Sequence, residues 1–94
     1  MTVRWTHRAV ADLEEIGRYI AEDNPEAANR WIGTLRARAV AADRTPLAGR
    51  LVPEWSETQV REVIERSYRI IYRVEPDGIL VLTVHHARRL LRAP

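Results

Sequence analysis

Arginine is the residue type with the widest chemical reach in this sequence. All fifteen basic residues are arginine and lysine is absent. No flexible amine is therefore on hand for proton transfer, while planar guanidinium groups suited to carboxylates and phosphates abound. Arg61, Arg69 and Arg73 recur along two neighbouring segments, and Arg88, Arg89 and Arg92 crowd the C-terminal end. Residues 59–94 carry seven arginines against four acids, whereas residues 1–58 carry eight against nine. The basic excess thus lies in the C-terminal half and suits an acidic polypeptide or a nucleic-acid partner. An arginine titrates too high to serve alone as an acid or base near neutral pH.

Other chemistries find little support. There is no cysteine, which excludes disulfides and thiolate metal sites and suits a reducing cytoplasm. His85 and His86 are neighbours on one apolar segment; on a strand they point to opposite faces and cannot share a metal without a bend. His86 fits better as a hydrogen-bonded histidine at the edge of a core, and His7 as a surface residue. No zinc or phosphate-loop motif is present, so neither metal nor cofactor is expected. Trp5, Trp31 and Trp55 read as core and loop anchors, since they are not interleaved with arginine. The chain starts without a long apolar core of the signal-peptide kind, and no apolar run approaches the roughly 18 residues of a membrane span. A cytoplasmic protein without membrane contact is expected.

The elements that must position these residues follow from periodicity. Ninety-four residues suffice for one domain, 1–94. Val3 to Trp5 is a short strand. Thr6 caps an amphipathic helix reaching about Ala21, with Ala9, Leu13, Ile16 and Ile20 on one face and Asp12, Glu14, Glu15 and Arg18 largely off it. Asn24 and Pro25 restart a second helix running to about Ala42, with Ala28, Trp31, Ile32, Leu35, Ala39 and Ala42 buried. Residues 43–58 show no period; Leu47, Leu51, Val52 and Trp55 are expected to tie them to the body. Gln59–Glu65, Tyr68–Glu75 and Ile79–His86 are strands. A three-residue loop, Pro76-Asp77-Gly78, would place Glu75 opposite Ile79, Tyr72 opposite Leu82 and Arg69 opposite His85. Tyr68, Ile70, Tyr72, Val74, Leu80, Leu82 and Val84 would then line the core, with Arg69, Arg73, Val81, Thr83 and His85 on the other face. The fold class is α+β, in the order β-α-α-β-β-β, with a helical hairpin packed on a mainly antiparallel sheet.

Four fragments carry a resemblance. Val60-Arg61-Glu62-Val63, Tyr68 to Val74, Asp77 to Leu82, and Val84-His85-His86-Ala87-Arg88-Arg89 resemble in order and spacing the C-terminal signature of ParE-like toxins, within the ParE/RelE toxin–antitoxin superfamily. That signature runs V-R-E-L, Y-R-I-I-Y-R-V, D-x-I-x-I-L and V-x-H-G-R-R. Ala87 stands where the family commonly has glycine, a small-for-small change. The helices and the Pro- and Gly-containing loop agree as well, so the likeness spans nearly the whole chain.

The resemblance implies a toxin neutralised by a cognate, ParD-like antitoxin, serving plasmid stabilisation or growth arrest. Two activities divide the superfamily. ParE-like branches are thought to poison DNA gyrase; RelE-like branches are ribosome-dependent mRNA endoribonucleases that use basic residues with a C-terminal tyrosine or His-Tyr pair. Here Tyr68 and Tyr72 are expected in the core, no tyrosine follows residue 72, and the His-Tyr pair of one branch falls on Ala87 and Arg88. Arg69 matches a ribonuclease arginine without its partners. The gyrase-binding reading, with no chemistry of its own, therefore leads. The ribonuclease is the alternative, and a protein that only keeps an antitoxin folded is a third reading. Candidate target- or antitoxin-binding residues are Arg61, Arg69, Arg73, His86, Arg88, Arg89 and Arg92. The plainer reading gives Arg61 and Arg69 ion pairs with Glu62 or Glu65, and makes Arg73 and the C-terminal arginines solvated charge. Direct contact with nucleic acid stays open.

Overall fold

Thr6 ends one element and starts the next. The computed structural model describes residues 2–88 and residue 91, and β1 (Thr2–Trp5) leads through Thr6 into α1 (His7–Ala21). The Thr6 hydroxyl accepts from the Ala9 amide at 3.0 Å, capping the helix, and donates to the Leu82 carbonyl at 2.8 Å. One side chain thus both begins the helix and pins it to the sheet. Asn24 does the same capping for α2 (Pro25–Arg44), accepting from the Ala27 amide at 3.1 Å. Pro25 needs no amide partner in the first turn.

After α2 come a single 3-10 turn (Pro46–Ala48), β2 (Arg50–Leu51), β3 (Val60–Glu65), β4 (Tyr68–Glu75) and β5 (Gly78–His86). The five strands lie in the order β1-β5-β4-β3-β2, antiparallel except for the parallel β1–β5 pair. Two helices on one side of such a sheet make the α+β arrangement expected from the periodicity. The two-residue β2 was hidden in the aperiodic stretch, because its only strand-like feature is its pairing with Arg61 and Glu62.

The β4–β5 register departs from the expected one near the turn. Glu75 faces Gly78, Val74 faces Ile79 and Tyr72 faces Val81; the register then shifts, and Ile71 faces Thr83 while Arg69 faces His85. Gly78 therefore belongs to the strand, leaving Pro76 and Asp77 as the turn. Its φ is 153° and a Cβ there would strike the Thr2 backbone, so both the backbone conformation and the close approach of β1 require glycine. Leu82 is the extra residue of a bulge, which changes the face presented along β5. Val81 and Ile79 consequently join the helix-side core with Leu13, Leu35, Ala39, Ile70, Tyr72 and Val84. Leu82 moves to the far side, and Leu80 pairs with Arg73 outside both clusters.

A second, smaller cluster covers that far face: Val52, Val60, Ile71 and Leu91, with Trp55 and Leu82 against them. Val52 and Trp55 do anchor the long connection. Leu47 and Leu51, expected to help, are exposed, since Leu51 lies on the edge strand with no layer beyond it.

Candidate functional site

The far face of the sheet holds a buried charge network. Glu62 on β3 has a side chain with no solvent exposure, clamped between Arg50 Nε at 2.5 Å and Arg69 Nε at 2.6 Å. Arg69, on β4, turns both terminal nitrogens to Glu54, a bidentate pair of 2.7 and 2.8 Å. Two acids and two bases balance, as burial in low dielectric demands. The forked hydrogen bond from Arg69 holds the Glu54 carboxyl down to about 2. In return Glu54, and then Glu62, push the Arg69 guanidinium above its already high range. Only 6% of Arg69 is exposed. Its shape and charge are consumed in joining the 52–59 connection to the sheet.

Arg61 is likewise turned inward. Its Nη1 donates to the Leu47 and Gly49 carbonyls at 3.3 and 3.1 Å. Beside it the Tyr72 hydroxyl donates to the Pro46 carbonyl at 2.6 Å, and burial raises that phenol. Gly49 has an ordinary φ of −65°, yet a Cβ would collide with the Tyr72 hydroxyl. Arg73 approaches Glu57 at 3.8 Å, both partly exposed, a contact of small weight.

The other candidates gather where β4 begins and β5 ends, away from Arg73. His86 lies edge-on to Tyr68 with centroids 5.4 Å apart, and its Nδ1 accepts from the Arg88 amide at 3.1 Å. Arg88 is exposed, while Arg89 and Arg92 lie outside the described residues. Tyr68 in turn meets Trp31 at 6.0 Å, and Arg66 sits 5.2 Å over the Trp31 ring. A groove of about 420 Å³ opens beside this ladder, with Asp12, Glu15, Ile16 and Tyr19 of α1 on one wall and Val84, His85, His86 and Arg88 on the other.

Three contributors were not legible locally. Asp12 falls off the apolar stripe of α1, yet its carboxylate accepts from the Thr83 hydroxyl at 2.5 Å and from the Val84 amide at 3.0 Å. It serves β5 beyond the point where β1 stops. Glu54 lies in the aperiodic stretch, fifteen residues from its partner. Arg66 reaches a tryptophan on another element. Among the described residues no group of three or more His, Cys, Asp or Glu could hold a metal, and no helix is long and apolar enough to cross a membrane.

Comparison with known proteins agrees with this architecture. Residues 3–91 match the family described as ParE toxin of type II toxin–antitoxin system, parDE. Y4kP of Sinorhizobium fredii, described as a toxin, is 36% identical over 93% of this chain and 88% of its own length. Toxin RelE2 of Caulobacter vibrioides is 36% identical over 94% of this chain and 97% of its own. A solved structure from the chromosomal ParDE system of P. aeruginosa superposes with a TM-score of 0.76, at 24% identity, over 94% of this chain and 97% of that one.

Proposed function

Since the chain belongs to the ParE toxin family of type II toxin–antitoxin systems, we propose that it arrests growth by binding DNA gyrase, without cutting RNA, and that a cognate ParD-like antitoxin neutralises it. The observation that carries the mechanism is the state of Arg69. The arginine at the position where ribonuclease branches place one is buried under Glu62 and Glu54. Reaching a phosphate would require leaving two carboxylates. Two of the three tyrosines point the same way: Tyr72 is buried with its hydroxyl on Pro46 and Tyr68 is held edge-on between Trp31 and His86, while Tyr19 is largely exposed on α1, in the wall of the groove it shares with His85 and His86. A buried arginine engaged by two carboxylates is not free for phosphate contact or general acid–base chemistry, which leaves binding through other residues as the activity supported. In this reading Arg88, with Arg89 and Arg92, contributes contacts to the target or the antitoxin, and plasmid stabilisation or growth control is the biological outcome.

Two assays on purified protein test the reading. Gyrase supercoiling should fall with toxin concentration and recover with antitoxin, while ribosome-bound message stays intact. Codon-positioned cleavage by the wild-type protein would establish the ribonuclease instead.

A further inference from the structure

The turn between β3 and β4 carries a residue that the turn itself does not favour. Glu65 pairs with Tyr68, so Arg66 and Ser67 form a two-residue hairpin loop. Arg66 has φ of 53°, the one positive value among the described non-glycine residues. Ser67 keeps a negative φ, and the first central position of such a loop prefers glycine. A side chain with a Cβ is disfavoured there. The visible return is the guanidinium over Trp31, an exposed cation–π contact that recovers less than the conformation costs. Folding alone therefore does not account for arginine at this position.

Its surroundings do. Arg66 forms one wall of a shallow groove of about 350 Å³, with Ala27, Arg30, Trp31 and Thr34 of α2 opposite and Glu65 at the end. No described carboxylate pairs with Arg30 or Arg66, while Glu65 is drawn toward Arg38 at 4.0 Å. Two uncompensated guanidiniums thus flank an indole. We infer that this groove docks an acidic segment of a protein partner, with Arg30 and Arg66 receiving its carboxylates. Arg–carboxylate forks supply the direction of such a contact. A polypeptide fits better than a nucleic acid on two counts. The Trp31 ring already carries Arg66 over it and Tyr68 against it, where base stacking needs an open platform. Glu65 in the wall also opposes a continuous phosphate backbone, whereas a peptide can set a neutral residue opposite it. This docking is independent of gyrase, and its test involves neither gyrase nor ribosome.

The test uses a fluorescein-labelled amphipathic peptide alternating Glu and Leu, its Gln counterpart, and a single-stranded oligonucleotide of equal charge. The acidic peptide should bind the wild-type protein and weaken as salt rises, with the Gln peptide and oligonucleotide much weaker. Arg66→Gly should melt at the same temperature or higher, yet bind the acidic peptide at least about tenfold more weakly, equivalent to about 1.4 kcal/mol. Arg30→Gln, on the exposed helix surface, should lose a similar factor, and Arg36→Gln, on another face of α2, should lose none. Equal binding by wild type and Arg66→Gly, or no binding by either, overturns the inference. So does preferential binding of the oligonucleotide. A lower melting temperature for Arg66→Gly would overturn its premise, by showing that arginine serves the fold.

Discussion

Replacing Arg69 with alanine should cost this protein much of its stability, and the reason is the carboxylate it leaves behind. Glu62 is fully enclosed and, among the described residues, accepts from two charged donors, Arg69 Nε and Arg50 Nε. Arg50 is 60% exposed, so it can offset only part of the loss. Glu54, 39% exposed, simply returns to water. Removing one partner of a buried pair costs about 3–5 kcal/mol. At roughly 0.05–0.15 kcal/mol per residue, a chain of 94 residues holds about 5–14 kcal/mol in all. The variant should therefore sit near the edge of folding, with the melting midpoint lowered by at least about 12 °C at roughly 4–8 °C per kcal/mol.

Urea denaturation followed by the fluorescence of Trp5, Trp31 and Trp55 measures this, and the midpoint should fall with the slope unchanged. The double variant Arg69→Met, Glu62→Leu removes both buried charges and should regain most of the loss. If Arg69→Ala lowers stability by less than about 1 kcal/mol, Glu62 is not an enclosed charge and Arg69 is free for a partner. The argument from sequestration would then fail with it.

Two further outcomes follow from the same face. Glu54 is held down to about 2, chiefly by Arg69, so its contribution is present above the unfolded carboxyl value and is lost as pH falls through the folded one. Stability should decline between about pH 4.5 and pH 2, less steeply in high salt because Glu54 is partly exposed; acid titration of Glu54→Gln should lack that component, and an unchanged profile would discount the pair. Gly49→Ala should cost more than Tyr72→Phe, because the former adds a steric conflict of about 1–3 kcal/mol to the loss of the Tyr72–Pro46 hydrogen bond, itself about 0.5–1.5 kcal/mol; equal urea midpoints for the two variants would contradict the close approach.

By itself the sequence determined the fold class and every helix and strand but the two-residue β2. Local signals sufficed there: a capping threonine, an Asn-Pro restart, apolar residues at helical spacing and the alternation of Tyr68 to Glu75 act within a few residues. The resemblance of four ordered fragments reached the family for the same reason, since those fragments are the strands themselves. It did not determine which face each β5 residue presents. One extra residue, Leu82, exchanges Val81 and Leu82 between faces, and nothing in a continuous apolar run marks where a bulge falls. Nor could it decide what the arginines do. Arg69 and Arg73 share one strand and one alternation, yet one is buried under two carboxylates and the other is partly exposed. Arg66 and Trp31 meet across thirty-five positions of chain. A charge is assigned by what surrounds it in space, and those neighbours exist only once the helices, the long connection and the sheet have been brought together.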